Sequence, residues 1–205
     1  MTDKNPLALS WDQRYSSETY AYGKNANAFF AAQLEHMNPG RLLLPGEGEG
    51  RNAVYAAGLG WAVEAFDQSR VGQSKALALA SEFDVEFTYK ACRMEDFDFL
   101  QNHYDLVALL FFHTDAVNRK YLHQKAIQTL KPGGTLLLEA FHKDQLSKNT
   151  GGPKSPALLF DEDILAADFL SLETHLLEKH KILLDEGSFH QGEAEIIRYT
   201  GIKPK

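Results

Sequence analysis

Three apolar runs without a polar alternation stand out along the chain: Leu42–Leu44, Trp61–Phe66 and Tyr104–Phe112. A strand that is apolar at nearly every position is buried on both faces, as in a parallel sheet covered by helices. Between these runs the apolar spacing turns helical. Asn25–Met37 gathers Phe29, Phe30, Leu34 and Met37 on one face and stops at Asn38-Pro39-Gly40. Asn52–Ala57 is a short helical segment. A helix capped by Ser69 runs through Ser81, and Asp115–Leu130 turns Val117, Tyr121, Leu122, Ile127 and Leu130 to the core. Val85–Tyr89 predicts a third strand. Thr135–Phe141, after the tight turn Lys131-Pro132-Gly133-Gly134, predicts a fifth. A short helix over Asp161–Phe169 follows, opened by acidic residues that suit its dipole. Leu172–Leu184 and Ala194–Ile202 then read as a hairpin joined by DEGSFHQGE. Strands alternating with helices and closed by this hairpin predict an α/β fold around a mostly parallel sheet.

Chemistry concentrates where the first strand ends. Pro45 breaks the run into Gly46-Glu47-Gly48-Glu49-Gly50, and Arg51 and Asn52 open the next helix. Glycines let the backbone turn sharply and lie against a ligand, while the helix start points free N–H groups at it. Asp67, at the tip of the next strand with Gln68 and Ser69 beside it, can accept both hydroxyl hydrogens of a ribose. Gly48-Glu49-Gly50-Arg51-Asn52-Ala53 fits the permissive dinucleotide fingerprint, so the letters alone allow a nicotinamide cofactor and an oxidoreductase. The charges favour a different ligand. Glu47 and Glu49, opposed by Arg51 alone, would repel a pyrophosphate by roughly 1–4 kcal/mol. S-adenosylmethionine (SAM) has no phosphate and carries a sulfonium and an ammonium.

LLLPGEGEGRN followed by VEAFDQS resembles the first two motifs of the class I SAM-dependent methyltransferases. The likeness is to the small-molecule branch with tellurite-resistance and thiopurine methyltransferase-like enzymes. WDQRYSSETYAYG, YDLVALLFFH and NTGGPKSP extend it over nearly the whole chain. The resemblance implies a Rossmann-like class I methyltransferase fold: a mostly parallel seven-stranded sheet with a C-terminal antiparallel hairpin, in a single domain spanning residues 1–205. A dehydrogenase-type fold would instead end in another parallel unit. The cofactor is then SAM, with methyl transfer to a small acceptor bearing sulfur, selenium, tellurium, nitrogen or oxygen. A SAM-binding module without catalysis stays open beside it.

The same resemblance implies roles. Residues 1–24 would form a lid over the pocket, with Trp11, Arg14 and Tyr22 on the cofactor side and Arg14 pairing with the carboxylate of SAM; the plain alternative is an aromatic arm packed on the surface. Gly46, Gly48 and Gly50 shape the loop, Glu47 faces the cationic end of SAM, and Arg51 and Asn52 start the helix behind it. Met94 and Glu95 touch adenine. Phe111 borders the cofactor, and Phe112, His113 and His142 lie on the acceptor side. His113 is the candidate catalytic base, against a histidine that caps the following helix. The loop 145–157 lies near the acceptor in the resembling enzymes and is read as a mobile lid or a disordered segment. Lys148 and Lys154 either draw in an anion or are simply solvated. His190, at the hairpin tip, is expected at the surface, and Cys92 is expected to be a small buried hydrophobe.

Composition narrows the partners. The 205 residues are 44% hydrophobic with a net charge of −7, enough apolar content for a core and no electrostatic footprint for nucleic acid or anionic membrane. One cysteine excludes an internal disulfide framework. The N-terminus lacks an apolar signal core, no run reaches membrane-spanning length, and no metal-ligand spacing of His or Cys occurs. The expectation is a cytoplasmic protein acting on a small molecule; neither the oligomeric state nor the acceptor atom is legible.

Overall fold

The computed structural model describes residues 6–205, with side chains from residue 10 onward. One sheet of seven strands runs β3-β2-β1-β4-β5-β7-β6, with β1 Arg41–Pro45, β2 Ala62–Asp67, β3 Thr88–Ala91, β4 Tyr104–Leu110, β5 Leu130–Phe141, β6 Glu173–Glu186 and β7 His190–Ile202. The first five strands are parallel, and β7 enters antiparallel between β5 and β6. This is the class I methyltransferase fold that the sequence predicts.

The continuous apolar runs divide between two cores. Leu42 and Leu44 of β1, with Leu106 and Ala108 of β4, pack on one face against α2 (Ala28–Leu34), α3 (Arg51–Gly58) and α4 (Arg70–Glu82). Leu43, Val107 and Leu109 face the other way, onto α5 (Ala116–Thr129) and α6 (Glu162–Asp168). The period-two alternation of a strand therefore serves both faces at once. Burying a leucine of this kind contributes about 1.5–3 kcal/mol.

Helix starts follow side-chain caps. Asn27 accepts from Phe30 N–H, Ser69 from Gly72, Asp115 from Val117 and Asn118, and Asp161 from Ile164. The N-terminal segment contains α1 (Pro6–Tyr15), so the aromatic stretch begins as a helix.

Several boundaries differ from the sequence pattern. The second helix covers Ala28–Leu34, shorter than Asn25–Met37, because Asn27 caps it. β3 lies at Thr88–Ala91, later than Val85–Tyr89, set by pairing Asp67 with Ala91. β4 stops at Leu110, two residues short of Phe112, because Phe111 takes φ +52°. Leu130 opens β5 and does not belong to α5, and Val117 is 78% exposed at the outer start of α5. The hairpin strands run to Glu186 and from His190, leaving a connection of Gly187-Ser188-Phe189. Short 3-10 turns at Lys143–Ser147 and Pro156–Leu158 order parts of the segment read as a mobile or disordered loop. No described helix is long and apolar enough to cross a membrane.

Candidate active site

At the carboxyl ends of the parallel strands a cavity of about 860 Å³ opens between the glycine loop, α1, the end of β4 and the 149–158 segment. Such an edge is where open α/β sheets hold ligands. The loop owes its shape to left-handed glycines: Gly46, Gly48 and Gly50 sit at φ +65°, +63° and +89°. Gly46 also admits the Phe112 ring, since a Cβ there would lie 2.3 Å from it.

Glu47 is buried and accepts the backbone N–H groups of Asn52 and Ala53 at 2.8 Å each, with Asn52 Nδ2 at 3.2 Å. Burial pushes its carboxyl up to about 7, against those bonds. Asp67 accepts from Gly48 N–H at 3.2 Å and Ser69 N–H at 2.8 Å, and burial raises it to about 6. Neither carboxylate has an ion-pair partner among the described residues, and both line the cavity. Two buried acids in need of positive charge suit a ligand carrying an ammonium and a sulfonium.

The charges around them are arranged differently from the pattern read in the sequence. Glu49 is an ion-pair partner of Lys75 and accepts from Ala21 N–H, so its charge is spent within the fold. Arg51 pairs with Glu186 at 3.0 Å and does not oppose the loop acids alone.

Most predicted positions meet at this cavity. Trp11, Arg14 and Tyr22 line its outer wall: Trp11 stacks on Tyr15, and Arg14 donates to the Tyr22 hydroxyl at 3.1 Å while lying over the Trp11 and Phe189 rings. Gly46, Glu47, Gly48, Arg51, Asn52, Asp67 and Gln68 line the inner floor, and Met94 and Glu95 one end. Met94 is buried among core side chains, and Glu95 is turned out to Arg93. Phe111, Phe112 and His113, just past the end of β4, line the cavity as well.

Three predicted positions do not reach it. Gly50 packs on α4, where a Cβ would come 2.6 Å from that of Ala76; its role is helix packing. Ser69 is wholly buried, capping α4 and donating to Asp12 at 2.5 Å. His142 is buried outside the cavity, accepting from Asp144 N–H and facing Glu162, because strand alternation gives Phe141 the inward position.

His113 lines the cavity, but its ring is committed. Nδ1 donates to the Leu158 carbonyl at 2.8 Å and Nε2 accepts from Phe141 N–H at 3.3 Å. Burial lowers it to about 4. A neutral ring with both nitrogens occupied has no lone pair left for an acceptor, so the geometry corrects the reading of His113 as a base.

Other wall residues were not individually assigned to the pocket from the sequence. Tyr15, Phe141, Gly151, Gly152, Phe189 and His190 all line the cavity. His190, expected at the surface, is buried, since its ring packs on Tyr22, Phe111 and Phe141 with centroids 4.6, 4.7 and 5.2 Å away. Register placed it there: β7 starts at His190, directly across from Glu186.

Residues 43–134 match a family described as a methyltransferase domain. No curated protein matches the chain by sequence. Among solved structures, one from work on the conversion of a disulfide bond into a thioacetal group during echinomycin biosynthesis superposes with a TM-score of 0.76 at 15% identity. It covers 97% of this chain and 92% of that one. N-methyltransferase NodS from Bradyrhizobium japonicum WM9, in complex with S-adenosyl-L-homocysteine, gives 0.73 at 11% identity over 98% and 100%. TehB from Haemophilus influenzae gives 0.69 at 15% identity, and this chain, matched over 96% of its length, spans 66% of TehB. Identities this low carry the fold alone: the chain has the fold of the class I methyltransferases, and its residues 43–134 are similar to a methyltransferase domain.

Proposed function

We propose that the protein moves the methyl group of SAM to a small-molecule acceptor within a single catalytic domain. The observation that carries this reading is the lining of one cavity, in which the buried acids Glu47 and Asp67, without an ion-pair partner among the described residues, share the walls with the rings of Phe111, Phe112 and Phe141. Asp67 holds the ribose hydroxyls, and Met94 and Glu95 border adenine. Arg14 answers the methionine carboxylate from the α1 side. SAM supplies an electrophilic methyl carbon on a positively charged sulfur, so the chain's own task is alignment and exclusion of water. Phe111, Phe112 and Phe141 give the acceptor end apolar walls. A volume of about 860 Å³ sits in the range of small-molecule sites.

Calorimetry with SAM and S-adenosylhomocysteine (SAH), followed by methyl transfer to a panel of thiols, phenols, amines and chalcogen oxyanions, tests it. Micromolar binding of both ligands with transfer to a panel member is expected. Binding without transfer to any acceptor would favour a non-catalytic SAM module, and the absence of binding would refute the reading.

A further inference from the structure

Two histidines face the acceptor end, and only one is free to exchange a proton. The Nδ1 of His190 lies 3.2 Å from the Glu186 carboxylate, which Arg51 also holds at 3.0 Å. Burial works to raise Glu186, but its bonds to His190 and Arg51 hold it below the usual carboxylate range. An ionised acceptor at Nδ1 fixes the proton there and leaves Nε2 as a bare lone pair. No protein group bonds that Nε2 among the described residues, and the ring is in the cavity wall.

We propose that His190, oriented by Glu186, is the general base of this methyltransferase, and that its acceptor is a neutral hydroxyl or thiol carried on an aromatic body. The proposal rests on the methyl-transfer reading above and names the substrate class of that same site. Rings define the chamber: Phe111, Phe141 and Tyr22 surround His190. The backbone at Gly151 and Gly152 is pressed so close that a Cβ at either would fall 2.8–3.0 Å from Phe189, His190 or Phe141 atoms. A flat apolar body fits such walls. An oxyanion would need several free donors, and Arg51 is taken by Glu186, Arg93 by Glu95 and Lys154 by the Lys148 carbonyl and Asn149, while Arg14 answers the methionine carboxylate in the reading above.

The step balances without a co-reactant. The acceptor O–H or S–H proton passes to Nε2 as the new oxygen–carbon or sulfur–carbon bond forms. The old S–CH3 bond breaks with its electron pair going to sulfur, giving neutral SAH. The imidazolium is countered by Glu186 and returns its proton to solvent. Burial lowers the His190 ring, so it is neutral and able to accept near pH 7. The charged and titratable groups around it are Glu186, Arg51, Arg14, Tyr22 and His113.

Phenol and benzyl thiol serve as proton-bearing probes and selenite as an oxyanion, with wild type, His190→Gln and Glu186→Gln. Wild type is expected to methylate an aromatic probe and not selenite, with kcat/KM rising along an acid limb set by His190. His190→Gln lowers kcat about 100-fold or more and removes that limb, with SAH affinity within threefold of wild type. Nitrogen NMR of wild type with SAH at pH 8 shows Nδ1 protonated and Nε2 bare, a pattern lost in Glu186→Gln. This arm decides the base assignment even where His190→Gln does not fold. Turnover within a few-fold of wild type, an unchanged limb, a protonated Nε2, or transfer to selenite alone or to no aromatic probe overturns the proposal. Failure of wild type to bind SAH overturns the methyl-transfer reading instead.

Discussion

Glu47 accepts the N–H groups of Asn52 and Ala53 at 2.8 Å each, so an anion belonging to the chain already occupies the start of α3. In a dinucleotide site those donors bind pyrophosphate. Exclusion of a diphosphate therefore comes from a filled helix terminus more than from the count of loop charges. Glu47→Ala removes the cap and is expected to cost about 1–2 kcal/mol, a fall in melting temperature of roughly 2–8 °C. Calorimetry with NADH should stay silent in wild type, and tight NADH uptake would contradict this account of the loop.

The same carboxylate makes stability depend on pH. Its folded value near 7 stands above the ordinary 4.5, so the folded state holds the proton more tightly than the unfolded chain. The contribution is complete below pH about 4.5 and is lost as pH rises through 7. Asp67, near 6, acts alike over a lower window. Without ligand, wild-type stability relative to Glu47→Gln should fall by about 3 kcal/mol between pH 4 and 8. SAM, which favours the ionised forms, should bind more tightly toward pH 8. Denaturant titrations of both proteins that stay parallel across this range would rule the linkage out.

Why some of this was legible follows from length scale. Apolar runs, the glycine loop and Asp67 form one local unit, β1–α3–β2, whose parts meet within the 27 residues from Arg41 to Asp67. The terminal hairpin announces itself by two strand-like runs and glycines. What failed depends on contacts distant in sequence. Phe111 in the left-handed region ends β4 early, an outcome that an apolar pattern does not encode. His190 looks like a loop tip until the β6–β7 register sets it opposite Glu186. Gly50 and Ser69 sit beside ligand-facing residues but turn to α4, and one strand step separates the inward Phe141 from the outward His142.

Gly46 tests how tightly the loop is coupled to the acceptor end. It sits at φ +65° with the Phe112 ring where a Cβ would be. Gly46→Ala brings about 1–2 kcal/mol of backbone strain and displaces Phe112. SAM affinity is expected to drop at least tenfold, measured by calorimetry on a variant whose circular dichroism matches wild type. Unchanged affinity would mean that the ring moves aside freely.

Arg14 is held in place by aromatic faces and one hydroxyl, with no carboxylate against it among the described ion pairs. A guanidinium so placed is available to the methionine carboxylate. Arg14→Ala should weaken SAM binding about tenfold to a hundredfold while the melting temperature of the unliganded protein moves by less than about 2 °C. Equal SAM affinity in the variant would reduce the segment around α1 to packing.

His113 offers a test of opposite character, because its ring ties the end of β5 to the 156–158 turn. Both nitrogens are used, on the Leu158 carbonyl and the Phe141 N–H. Removing the ring leaves two buried backbone groups short of a partner, at about 1–3 kcal/mol. Its folded value near 4 lies below the ordinary 6.5, so the unfolded chain binds that proton first. Stability from the neutral ring is present above pH 6.5 and is lost as pH falls toward 4. The expected result for His113→Gln is a lower denaturation midpoint at pH 7.5, a gap to wild type that shrinks by pH 4, and a turnover pH profile of unaltered shape. A variant of full stability that has lost the acid limb would return the base to His113, since only a ring acting on the acceptor removes a titration without loosening the fold.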